Sequence, residues 1–156
     1  MTIASKLRHY LDGEGVHYDV VRHPRTSTAS QSAESAHIPG NRVAKSVVIH
    51  HELGYFLAVV PSTNRVELGT LQDLLAKRLG LATEDEVTTL FTDCEVGAIP
   101  AVGAAYGVPV ILDESLNGVS DLYFEGGDHK SLIHVSGDAF RVLTREAKQA
   151  RFSHHA

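Results

Sequence analysis

Two apolar, β-branched runs lie close together in this chain: Val43-Ala44-Lys45-Ser46-Val47-Val48-Ile49 and residues 55–60, with Glu52-Leu53-Gly54 between them. Each reads as a buried strand, and the short glycine-bearing connection joins them as a hairpin. Side chains alternate between the faces of a strand, so Lys45 shares a face with Val43, Val47 and Ile49. A lysine among such neighbours is costly to bury unless something anionic or strongly polar meets it. Two readings stand at this point. The side chain bends out to water or into an ion pair, or it supplies a cation at the floor of a pocket.

The 156 residues suit one compact domain with a sizeable core. Trp is absent, so Val, Leu, Ile and Ala must build that core. The net charge of −5 argues against a protein that wraps long nucleic acid by charge alone, and leaves room for gripping a short nucleic-acid end in a local pocket. Cys94 is the single cysteine, which excludes an internal disulfide and a Cys-rich metal site and fits a reducing compartment. No apolar run reaches the length of a membrane span, and residues 1–6 lack the apolar core of a signal peptide, so a cytoplasmic protein is expected.

Along the chain, Ile3, Leu7, Tyr10 and Leu11 recur at helical spacing, with Thr2 placed to cap the start and Gly13 and Gly15 to end it. Val16, Tyr18 and Val20 alternate as in a strand that closes at Pro24. Thr28-Ala29-Ser30-Gln31 resembles a capping box for a helix of small residues ending before Pro39-Gly40. After the hairpin, a short strand is expected at 65–68. A helix follows over Leu71 to Leu79, capped by Thr70 and stopped by Gly80, and then a second one opens on the capping box Thr83-Glu84-Asp85-Glu86. Residues 97–103 form a small-residue loop. Strands resume at 108–112, 122–124 and 132–135, Ser136 caps a short helix at 138–143, and the tail from Arg151 reads as frayed. Strands outnumber long helices and hairpins are common. An α+β domain around a mixed or antiparallel sheet is therefore expected, rather than a doubly wound fold.

Several familiar chemistries find no support. The ten histidines lack metal spacing: His51-Glu52 is followed at position 55 by Tyr55, and His50 and His51 point apart on a strand. There is no phosphate-binding glycine loop of Walker or Rossmann spacing and no Gly-x-Ser-x-Gly elbow. No metal or cofactor is expected. The ordinary fate of a lone thiol such as Cys94 is a small buried side chain.

Three features can converge instead. Lys45 offers a fixed charge. The loop containing Gly97-Ala98-Ile99-Pro100 offers main chain free of bulky side chains, although it also reads as a tight crossover. The turn Gly126-Gly127-Asp128-His129 offers a second such backbone and two titratable groups, with His129 equally readable as a solvated loop residue. Backbone donors and a lysine aimed at one point stabilise an oxyanion, which suits hydrolysis of an activated ester by water. Thr28 is first a helix cap, and His23 a strand-end residue.

These residues carry a resemblance. The chain resembles the YbaK family, also called the prolyl-tRNA synthetase-associated or editing domain, from about Leu7 to Leu143. The signals are His23, Thr28 with its small-residue helix, Val43-Ala44-Lys45-Ser46, Leu57-Ala58-Val59-Val60-Pro61, Asp93-Cys94-Glu95-Val96-Gly97-Ala98-Ile99-Pro100 and the Gly126-Gly127 turn before a strand. The resemblance implies a single domain with a mixed, barrel-like β-sheet flanked by helices. It implies a deacylase that clears a small mischarged amino acid, such as alanine or cysteine, from the 3′ end of tRNA in trans, with proline tRNA the expected carrier. It places the family's lysine at Lys45. It places the glycine-proline loop at Gly97 to Gly103 and the later glycine turn at Gly126 and Gly127; taken with the residue reading above, the candidate substrate-binding set is His23, Thr28, Ser46, Gly97, Ala98, Ile99, Pro100, Gly126, Gly127, Asp128 and His129. The implied partners are the acceptor end of aminoacyl-tRNA and an aminoacyl-tRNA synthetase, with no membrane and no DNA. One departure bears on which amino acid is accepted: Ala101-Val102 stands where the family commonly has proline and an aromatic. A binding module without turnover, and a hydrolase of some other small ester, are the competing readings of the same residues.

Overall fold

The computed structural model describes residues 3–156. Its elements in chain order are α1 (Ser5–Glu14), β1 (Asp19–Arg22), α2 (Ala29–Ser35), β2 (Val43–His51), β3 (Gly54–Pro61), β4 (Asn64–Val66), α3 (Leu68–Leu75), β5 (Gly80–Leu81), α4 (Glu84–Leu90), β6 (Val110–Asp113), β7 (Asp121–Glu125), β8 (Ser131–Ser136), α5 (Gly137–Leu143), β9 (Lys148–Ala150) and β10 (Ser153–His155). The hairpin expected from the sequence is β2–β3, with Lys45 opposite Val60 and Ile49 opposite Phe56. It sits mid-sheet in the order β1-β8-β7-β2-β3-β6-β9, with β5 also pairing β2. The β2/β7, β3/β6 and β6/β9 pairs are parallel and the remaining pairs antiparallel, so the architecture is α+β on a mixed sheet. The path runs openly from β1 to β9, so the sheet is not a closed barrel.

The period of two sorts the core. Ala44, Val48, Leu57 and Val59 face Leu7 and Leu11 of α1, Phe91 after α4, and Phe140 and Leu143 of α5. Ile49, Phe56, Ala58 and Val60 face the other way, onto Leu71, Leu79 and Phe152. A third cluster puts Ala29 and Ala33 of α2 on Val43 and Leu132, because only small side chains let this helix lie that close to the sheet.

Local signals act where they should. Thr28 Oγ1 accepts from the Gln31 N–H at 3.1 Å, while Gln31 Oε1 accepts from the N–H of Ser27 (2.9 Å), one residue before the cap. Thr83 and Glu86 form a reciprocal capping box, and Ser136 caps α5. The expected cap Thr2 lies outside the described residues; the helix there begins after Ala4, without a side-chain cap, and ends on Gly15 in the left-handed region. Two expectations are corrected. Helix α3 begins at Leu68, with Thr70 inside it bonding back to Glu67, and it ends at Ala76, which itself takes the left-handed conformation. Gly80 is therefore free to join a strand. The tail does not fray: Ser153–His155 pairs antiparallel with Asn64–Val66, and Phe152 is buried with its N–H donated to Asp113 at 2.9 Å. Among the described residues no helix is long and apolar enough to cross a membrane.

The loop leading from α4 into β6 depends on Gly103. A Cβ there would lie 2.3 Å from the Val108 carbonyl oxygen and 2.7 Å from the Val110 side chain. Gly103→Ala should lower the unfolding free energy by about 1–3 kcal/mol, as overpacking does. Urea denaturation of the variant against wild type measures this, and an unchanged midpoint would show that the contact gives way freely.

Candidate functional site

The parallel pairing of β2 with β7 sets Val43 beside Tyr123 and Ala44 beside Phe124. Continuing that register by one residue brings Lys45 alongside Glu125, on the face that α2 covers. The helix begins only after Thr28, so this end of the two strands stays uncovered. The result is a cleft of about 200 Å³ lined by Ser27, Thr28, Ala29, Lys45, Ser46, Gly97, Ile99 and Glu125.

Lys45 is half-buried, and its Nζ donates to the main-chain carbonyl of Asn64 on β4 at 2.7 Å. Burial, together with the neighbouring Arg65 charge, holds the ammonium below its ordinary pKa. Among the described residues no carboxylate lies within ion-pair range of it. An ammonium has three protons, and the Asn64 carbonyl takes one. The side chain is thus anchored at one point while keeping donors for a ligand.

Gly97 has φ +86°, and a Cβ there would lie 3.0 Å from the Ser27 carbonyl and 3.1 Å from His129 Cε1. The wall is therefore bare main chain by necessity. His129 stands behind it, buried, and its Nε2 donates to the Val96 carbonyl at 2.6 Å. A carbonyl only accepts, so Nε2 carries a proton, while Nδ1 is buried and unpartnered among the described residues. Ser46 Oγ donates to the Pro100 carbonyl at 3.1 Å and ties the loop to β2.

The structure thus gathers Lys45, Thr28, Ser46, Gly97 and Ile99 around one cleft, with His129 and Pro100 fixing the loop. Ala98 is fully buried away from the lining. Gly126 and Gly127 face α1 instead. Their carbonyls accept from the N–H groups of Ala4 (2.9 Å) and Glu95 (2.8 Å), and a Cβ on either would lie 3.0 Å from Ile3 or Ala4. Gly127 and Asp128 line a separate cleft with Asp93 and Cys94. Asp128 accepts from the Lys130 N–H and the Ser131 hydroxyl, and so holds the turn together. His23 is buried with Nδ1 donating to the Pro24 carbonyl at 2.7 Å, and it does not line the Lys45 cleft. Burial pushes the Cys94 thiol up to about 12, which leaves almost no thiolate at neutral pH.

Glu125 escaped the sequence reading. It is only 2% exposed. Its Oε2 accepts from Ser32 Oγ of α2 at 2.8 Å, and Ser32 Oγ in turn accepts from Thr26 Oγ1 at 2.7 Å. Its Oε1 has no partner among the described residues. Burial, reinforced by the Asp128 charge, pushes the carboxyl up to about 7. The signal was present: Glu125 ends an apolar strand run just as Lys45 interrupts one. The pairing that places the two side by side joins residues 80 apart and leaves no local pattern.

Folded, this carboxyl holds its proton to about pH 7; unfolded, it loses it near 4.5. Between those values the folded state keeps a proton that the unfolded chain has shed, so this group's contribution to stability falls as pH rises through the window. At about 1.4 kcal/mol per pK unit, the loss is about 3 kcal/mol. In urea denaturation, the unfolding free energy of Glu125→Gln minus that of wild type should therefore increase by about 3 kcal/mol between about pH 4 and pH 8. A constant difference would remove the buried acid from the account.

Comparison with known proteins shows the family and the fold. A proline–tRNA ligase of Fervidobacterium nodosum is 27% identical over 114 residues, 72% of this chain, and the match spans 19% of the ligase's length. A solved structure provisionally described as a trans-editing enzyme for prolyl tRNA synthetase superimposes with a TM-score of 0.84 at 29% identity, covering 96% of this chain and 95% of that one. A structure from work on epitope backbone grafting onto scaffold proteins gives 0.85 at 29% identity, covering 97% of each chain. The family model for the aminoacyl-tRNA editing domain matches residues 23–143, and the chain belongs to that family.

Proposed function

We propose that this protein is an aminoacyl-tRNA deacylase acting in trans, which removes a small mischarged amino acid such as alanine or cysteine from the 3′ end of tRNA, with proline tRNA the favoured carrier. The observation that carries this reading is Lys45, anchored on the Asn64 carbonyl and lining a cleft that the bare main chain of Gly97 also lines. The ester carbonyl oxygen faces the ammonium and the backbone N–H groups of the loop, whose fields stabilise the tetrahedral intermediate as water attacks. Cys94, held as a neutral thiol, takes no part as a nucleophile.

The cleft, at about 200 Å³, is smaller than the roughly 300–1,000 Å³ typical of drug-sized ligand sites. It admits a short side chain and leaves the ribose and the rest of the tRNA outside. Steric exclusion of larger amino acids then sets the specificity. The net charge of −5 confines the RNA contact to the acceptor end or calls for a synthetase partner to add affinity. Relatedness to one part of a proline–tRNA ligase fits such a partner, and the cytoplasm, where tRNA is charged, is the expected site of action.

Deacylation of a panel of mischarged tRNAs tests the reading. Wild type should release small amino acids, and Lys45→Ala should lose about 2–4 kcal/mol of transition-state stabilisation, a fall of about 30- to 900-fold in rate. Saturable binding of the acceptor end with no ester loss would make the protein a binding module. An unchanged rate in Lys45→Ala would take the lysine out of the chemistry.

A further inference from the structure

We propose that Glu125 receives the substrate's α-ammonium group through its free Oε1, so that Lys45 and Glu125 together read the two ends of an aminoacyl ester, an inference that rests on the deacylase reading above. An aminoacyl ester carries a cation one carbon away from the carbonyl that is to be attacked. A cleft offering only a lysine would hold the carbonyl oxygen and repel the ammonium. A neighbouring carboxyl resolves that conflict, and the β2/β7 register supplies one from the adjacent strand.

The accounting of buried carboxyls points the same way. Three are buried among the described residues: Asp113, Glu125 and Asp128. Asp113 takes the N–H of Phe152 on Oδ1 and the N–H and hydroxyl of Ser115 on Oδ2. Asp128 takes the Lys130 N–H on Oδ1 and the Ser131 hydroxyl on Oδ2. Each of those is a finished structural device. Glu125 has one oxygen fixed by Ser32 and the other without a partner, and it is the one of the three that lines the Lys45 cleft. Buried polar atoms are rarely left unpaired, and those that are need an explanation. His23 Nε2 and His129 Nδ1 are also unpartnered, but neither residue lines this cleft. The hydroxyl of Ser46 is spent on the Pro100 carbonyl. The Ser32 bond fixes the carboxyl plane and leaves Oε1 buried and unpaired on a residue of the cleft lining, where a small movement of Ser27 or Thr28, or the substrate's own entry, would bring the ammonium to it.

The test uses two tRNAs that differ only at the amino group, one carrying alanine and one carrying lactate, with each rate divided by the uncatalysed hydrolysis of the same ester. Wild type should favour the alanyl ester by about 10- to 100-fold, the range set by one hydrogen bond to a charged group. Glu125→Gln should lose most of that factor on the alanyl ester and little on the lactyl ester, bringing the ratio near one. Lys45→Ala should fall on both. Equal losses on the two esters in Glu125→Gln would assign the residue a purely structural role and overturn the inference. A parallel calorimetric titration with 3′-alanylamido-adenosine and 3′-lactylamido-adenosine, which are not hydrolysed, reads the preference without turnover and needs wild type alone. If wild type cleaves neither ester yet binds the alanyl analogue more tightly, the deacylase reading fails and the ammonium contact stands. Equal affinity for the two analogues, or binding of neither, overturns the contact itself.

Discussion

The parallel register between β2 and β7 is the constraint on which the rest of this molecule depends. Strand β2 bonds to β3 along its length and to β7 and β5 at its two ends, so it is held on both edges. A side chain carried on such a strand is aimed by the sheet itself, with an accuracy that a surface loop lacks. The same register carries a cost. It places an acid in a buried position beside a partly buried lysine whose ammonium bonds elsewhere, and burial raises that acid to about 7, so that it gives up its proton only around neutral pH. Proteins often accept such local expense where a ligand will later meet the group.

The local code was easily read and the non-local code was not. The alternation in residues 43–60 gave the hairpin, and Thr28, Thr83 and Ser136 announced their helices because a cap acts within three residues of itself. Helix α3 ended early because Ala76 took a conformation usually left to glycine, which no pattern of side chains signals. Strands β9 and β10 were missed because each is three residues long and exists only by virtue of a distant partner. At the site, Lys45 stood out as a charge inside an apolar run. Glu125 met the same criterion at the end of its own run, but its meaning depended on knowing which strand lay next to it. The pair Gly126-Gly127 was legible as a place of close approach. What approached in the structure was the start of α1, a contact between residues more than 120 positions apart.

Two kinds of support hold the cleft in shape. The sheet fixes its floor. Its wall is fixed by side chains that bond to loop main chain: His129, from behind, to the Val96 carbonyl and Ser46, from within the cleft, to the Pro100 carbonyl. Buried side chains that bond to loop carbonyls convert an irregular segment into a rigid one, which is how a loop without bulky residues keeps a defined surface.

The lysine's anchor has a consequence for the far end of the chain. Asn64, whose carbonyl holds Nζ, lies in a two-stranded ribbon with Ser153–His155, and its side chain donates to Ser153 Oγ at 3.0 Å. The last few residues are therefore mechanically linked to the ammonium, although they stand more than a hundred positions from it in the sequence. Any trimming, fusion or partner that peels this ribbon apart would loosen the amino group's mooring, so the Ser153–His155 strand is a remote handle on where the ammonium sits.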